Sequence, residues 1–182
     1  MNGEPCRAPE RRHSVYQWLT FHSPPGDGGR YPTELMEVVD QIRNAFPVHP
    51  IPTSEAAIED TYCVEHLHEI LAGRPWDEPT VQDYRMCDDG FSLLTVAGLG
   101  YYLPGYLIAK IDDPETADIL GEYVTYTLGG TSDFCRTRMT ELGRLMDPAK
   151  GDAILAWLDW YEARVTPDAH IERSRETVKT WG

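Results

Sequence analysis

Pro104 stands inside an apolar, glycine-rich stretch, LLTVAGLGYYLPGYLI, at residues 93–108. A proline inside a helix removes one amide donor and presses its ring on the carbonyl four residues back. That residue is Gly100, whose backbone can yield. The stretch therefore predicts one bent helix, with its kink at 100–104. Thr95 has the side chain of an N-cap, free to accept from an amide two or three residues on. Leu94 and Leu99 are spaced to close a hydrophobic staple across it. Leu99, Tyr102, Leu103, Tyr106 and Leu107 then share one helical face. Gly98 and Gly105 permit close approach by a helix or a ligand.

The remaining pattern is helical too. Val38, Val39, Ile42 and Phe46 form a stripe that ends at Pro47. Ser54 reads as the cap of a second helix running to Gly73, a glycine where a C-terminal stop belongs. One face of that helix would carry Ala56, Ala57, Cys63, Val64, Leu67, Ile70 and Leu71. The opposite face would carry Glu55, Glu59, Glu65 and Glu69. Asp60 falls on the apolar stripe, near the helix start. RPWDEPT at 74–80 is a turn with Trp76 as its anchor in the core. A short helix follows around 81–86. Asp113 and Pro114 open another, expected to run to about Leu128 and stop at Gly129–Gly130. A weakly patterned helix spans 134–146, and Asp147–Pro148 starts the last. The expected fold is all-α: a compact bundle of five or six helices, one of them kinked by proline. Residues 31–165 form this domain. Residues 1–30 make an extended arm, with SVYQWLTFH at 14–22 of strand-like composition, and 166–182 make a polar, fraying tail.

Charge narrows the functional classes. Residues 1–30 carry a net +1, residues 31–165 a net −15, and residues 166–182 a net zero. A body at −15 repels phosphate backbones, which argues against nucleic acid, and it attracts basic proteins. No apolar run reaches the roughly 18 residues of a membrane span. The N-terminus lacks the apolar core of a secretory signal. Cys6, Cys63, Cys87 and Cys135 are scattered without a CxxC pair, which reads as reduced thiols of a cytoplasmic protein.

The opening stretch also resembles a family signature. LLTVAGLGYYLPGYL is similar to the motif FLTPEGFRYYLPAYL of a bacterial domain family of unknown function. LAGRPW (71–76) before it and AILAWLDWY (153–161) after it extend the likeness over roughly residues 35–165. Val96 and Ala97 stand here where the motif has Pro-Glu. The resemblance implies kinship and carries no activity, cofactor or site residue with it.

Candidate chemistry is sparse. CVEHLHE (63–69) places Cys63 with His66, and Glu65 with His68, at i,i+3. A Glu-x-x-His pair is half of a di-metal carboxylate site, and the only second match, Glu10–His13, lies in the arm. A Cys/His zinc site lacks its second pair. Neither a metal nor a cofactor is expected, and no nucleophile or phosphate-cradling loop is legible. Asp88–Asp89–Gly90 reads as a turn.

Two functional readings remain. The first is a non-enzymatic protein-binding module, immunity- or antitoxin-like, meeting a basic protein through an acidic surface that includes Glu65 and Glu69. It rests on two stretches, 55–69 and 112–122, each with five acids and no basic residue. The second is a small-molecule-binding protein or enzyme with a pocket at the kinked helix, lined by Tyr101, Tyr102 and Tyr106. A homodimer through the arm around Trp18 is a further expectation.

Overall fold

The computed structural model describes residues 33–61, 64–88, 90–166 and 168–181. The expected arm over 1–30, its strand-like segment and the contact through Trp18 lie outside these, as do Tyr62 and Cys63. Among the described residues the fold is all-α. Its eleven helices are α1 (Thr33–Ala45), α2 (Ser54–Ala57), α3 (Glu65–Ile70), α4 (Val81–Met86), α5 (Gly90–Leu93), α6 (Val96–Asp112), α7 (Pro114–Ala117), α8 (Leu120–Leu128), α9 (Asp133–Gly143), α10 (Pro148–Glu162) and α11 (Ala169–Lys179). Six of them have nine residues or more, and the rest are one or two turns long.

α6 is the central helix and runs through Pro104 without interruption. Thr95 caps it, its hydroxyl accepting from the Gly98 amide at 2.9 Å. The single apolar face expected from the sequence is too narrow a description. Residues 102–109 are buried all round, because α1, α2, α4, α7, α8 and α9 all pack on this helix. A helix apolar on every side belongs in the middle of a bundle. The Trp157 indole donates to the Leu107 carbonyl at 3.0 Å and ties α10 to it.

Three expectations need correction. The helix expected over 54–73 is broken. Thr53, not Ser54, caps α2, and Ile58 turns extended to bridge antiparallel to Leu94. The Glu59 amide donates to the Leu93 carbonyl at 2.8 Å, and the Thr95 amide to the Ala57 carbonyl at 2.9 Å. These long-range bonds outweigh local helix propensity. Glu55, Glu59, Glu65 and Glu69 therefore do not share one helical face, although all four are exposed. The second helix expected to run unbroken, 114–128, splits at Asp118, whose φ is +42°. The Lys110 ammonium donates to the Asp118 carbonyl at 2.5 Å and to the Pro114 carbonyl at 3.2 Å. Arg85 holds the Asp118 carboxylate at 3.1 Å.

The third correction concerns the polar C-terminal segment, which forms α11 instead of fraying. Ile171, Ser174 and Val178 are its buried side. Ser174 Oγ donates to the Thr125 carbonyl of α8 at 2.9 Å. A Cβ on Gly129 would lie 2.5 Å from the His170 carbonyl oxygen, so glycine sets how closely α11 approaches α8. Trp181 packs on Gly143 in the same way, at the far end of α9.

Candidate functional site

The tyrosines of the signature stretch are placed one by one by backbone carbonyls. Tyr101 is half-buried and donates to Val48 O at 2.6 Å. Tyr102 is fully buried and donates to Leu71 O at 2.5 Å and to Arg74 O at 3.3 Å. Tyr106, also buried, donates to Cys87 O at 2.8 Å. Its ring sits between Tyr84 and Phe91, with centroids 4.6 and 4.4 Å away. Tyr84 donates in turn to the Trp76 carbonyl. Burial pushes the Tyr84 phenol well above its usual range, with Tyr102 and Tyr101 adding to the effect. Burial likewise raises Tyr102 and Tyr101. These hydroxyls act as neutral donors: the three on α6 fasten the segments at Val48, at Leu71–Arg74 and at Cys87 to that helix, and Tyr84 ties Trp76 to α4.

The structural signature residues close the same arrangement. Trp76 is buried, and its indole donates to the Pro47 carbonyl at 3.4 Å. A Cβ on Gly105 would fall 1.8 Å from the Tyr84 hydroxyl, and one on Gly98 would fall 1.9 Å from Ala57 O. The close approach that glycine permits is used by this chain's own groups. Pro104 is buried beside Gly105.

Glu65 and Glu69 lie exposed on α3. Neither has an ion pair among the described residues, and the same holds for Glu55, Glu59 and Asp60. The other acidic stretch is largely committed to internal structure. Asp113 caps α7, and the hydroxyl and amide of Thr116 hold its carboxyl below the usual range. Asp118 pairs with Arg85. Burial raises Glu122 and Asp112, while Lys110 and Arg43, respectively, pull them back. A third acidic feature is an open cleft of about 520 Å³ between α1 and α10, lined by Glu37, Asp40 and Asp152 with Gln41 and Asn44.

His68 Nδ1 lies 2.7 Å from Ser54 Oγ, joining α3 to α2. Among the described residues no group of three or more His, Cys, Asp or Glu is placed to hold a metal ion. No helix there is long and apolar enough to cross a membrane.

Arg138 is not among the candidates legible in the sequence. It is 7% exposed and donates to Ser92 O at 3.2 Å and to Leu94 O. Its Nε has no acceptor. Burial lowers its pKa, and Glu59, Cys135 and Glu141 oppose that from a distance. The signal was present: Arg138 lies with Met139 and Leu142 on the buried side of α9, next to half-buried Cys135, and a charge on a core stripe asks for partners. Lys110 was also missed, and its pKa is lowered by burial.

No family model, no curated protein and no solved structure matches this chain.

Proposed function

We propose that this chain is a non-enzymatic protein-binding module of the bacterial cytoplasm, immunity- or antitoxin-like. In this reading it meets a basic protein through the acidic surface around Glu65 and Glu69. The reading keeps the kinship with the FLTPEGFRYYLPAYL family. One observation carries it: the exposed carboxylates of residues 55–69 have no cation paired to them among the described residues. Several of the chain's own cations are engaged elsewhere. Arg85 pairs with Asp88 and Asp118, Arg175 with three carboxylates, and Lys150 with Asp147. Unpaired surface charge of one sign steers an oppositely charged partner and is strongly screened by salt.

The test has two steps. Tagged full-length chain is used to capture partners from host lysate at low and high salt, and the retained basic protein is then purified. Its affinity is measured against the wild type and against Glu65→Lys with Glu69→Lys. The double reversal is expected to weaken binding by about tenfold or more at low salt, with the gap closing at high salt. Equal affinity for both chains would remove this surface as the interface.

A further inference from the structure

We propose that the joint between α7 and α8 is a conformational latch: Lys110 holds Asp118 in a strained backbone shape, and loss of that hold lets residues 114–128 zip into one continuous helix. Asp118 has φ +42° and ψ −112°, and Ile119 follows at φ −79° and ψ 1°. These lie close to the dihedrals of a type II′ turn, whose first central position favours glycine. Among the described residues Asp118 alone of the non-glycines has a positive φ, and a Cβ there is strained. The strain is imposed from other elements. The Lys110 ammonium, in the last turn of α6, donates to the Asp118 carbonyl at 2.5 Å and to the Pro114 carbonyl at 3.2 Å. Arg85 of α4 holds the Asp118 carboxylate at 3.1 Å.

The continuous helix is a real competitor. Asp113 caps α7 and Pro114 opens it, which are the start signals of a full-length helix, whereas α8 begins at Ile119 with no side-chain cap. The first amides of α8, those of Leu120, Gly121 and Glu122, have no acceptor within that helix. In a helix unbroken from Pro114 they would meet the carbonyls of Thr116, Ala117 and Asp118, four residues back. The same helix would return Asp118 to a φ of about −63°. Against these gains stand the packing of α7 on α4 and α6, the burial of Ala117 and the two bonds from Lys110. Strain and open amides on one side, a small contact and one cation's bonds on the other, make a two-state element. Lys110 tips it because its two acceptors, Pro114 O and Asp118 O, lie at the start of α7 and at the break, so one ammonium clamps the bend. Loss of that ammonium is the trigger.

Residue-resolved amide hydrogen exchange of the full chain tests the latch, with helical circular dichroism as the check on folding. Lys110→Met should slow exchange at Gly121 and Glu122 by about tenfold or more, since each amide gains a helical acceptor. A lysine that only stabilises its surroundings would give the opposite, faster exchange on its removal. Asp118→Ala should slow the same two amides and Asp118→Gly should not. Both variants lose the Arg85 pair, and only alanine favours helix over the positive-φ turn. In the Asp118→Gly background Lys110→Met should lose its slowing effect, because an unstrained glycine keeps the bend. Unchanged or faster exchange in Lys110→Met would overturn the proposal, as would equal slowing in the glycine background. Should Lys110→Met fail to fold, the Asp118 pair decides, and equal exchange in the alanine and glycine variants would overturn it.

Discussion

Arg175 sits where α10 meets α11, with Asp159 at 2.9 Å and Glu162 and Glu172 at 2.7 Å. Arg138 sits where α9 meets the turn leading into α6, and it is held by the carbonyls of Ser92 and Leu94 with no carboxylate in ion-pair range among the described residues. The hydrogen bonds to Asp159 and Glu162 raise the pKa of Arg175, whereas burial lowers that of Arg138. At the rim, water still reaches the carboxylates, and charge answers charge at little desolvation cost. In the core, backbone geometry has to satisfy the guanidinium, and moving either partner leaves a polar group stranded. The first junction can be retuned by salt. The second is set by the way the chain is folded.

The sharpest way to break the core junction is to force its backbones apart. Gly98 faces Ala57 O directly, and the neighbouring bonds Thr95 N to Ala57 O and Thr95 Oγ to Ala56 O depend on that approach. Gly98→Ala should cost about 3 kcal/mol or more by overpacking, since a backbone oxygen cannot rotate away. Urea unfolding measures it. A loss under about 1 kcal/mol would show that α2 slides freely over α6 and that the junction is soft.

Next in size is the guanidinium itself. Arg138→Met keeps the apolar stem and leaves Leu94 O buried without its donor, while Ser92 O, nearer the surface, can turn to water. The expected loss is about 2 kcal/mol beyond the general repulsion that removing any cation adds, and this excess is the same at low and high salt. An unchanged midpoint would mean that the surrounding carbonyls find other donors, and the contrast with Arg175 would vanish.

How much of this was legible follows the same division. Caps and stops were readable because they are local. Thr95, Asp113 with Pro114, Asp147 with Pro148, and Gly73 at φ +71° all stand where the sequence put them. Long-range events were not. Ile58 has a neighbourhood that reads as helix, and only Leu94, 36 residues on, pulls it into a bridge. Asp118 breaks a helix because Lys110 and Arg85 reach it from other elements. α11 has little apolar surface of its own, and its order comes from the groove over Gly129 and from Ser174 reaching Thr125 O. The tyrosines were recognised as special, but which carbonyl each would meet required the fold. The exposure of Glu65 and Glu69 was readable from their charge, whereas the helix break that separates them from Glu55 and Glu59 was not.

The smallest effect belongs to the rim, and it sharpens the comparison through its salt dependence. Arg175→Gln keeps much of the side chain and removes the charge from a site with three carboxylates. Exposed pairs contribute about 0.2–1 kcal/mol each, and three that share one cation do not add fully, so a loss of about 1 kcal/mol is expected at low salt. Removing any cation from a −14 chain also adds general repulsion, and salt screens that as well. Lys179→Gln supplies the reference. It lies exposed on the same helix without an ion pair among the described residues, so it reports the general term alone. The difference between the two variants isolates the Arg175 network. That difference should shrink towards zero by about 1 M salt, where the Debye length is about 3 Å. A difference that persists there would mean the guanidinium holds α11 through packing and hydrogen-bond geometry. The rim would then be built on the same principle as the core.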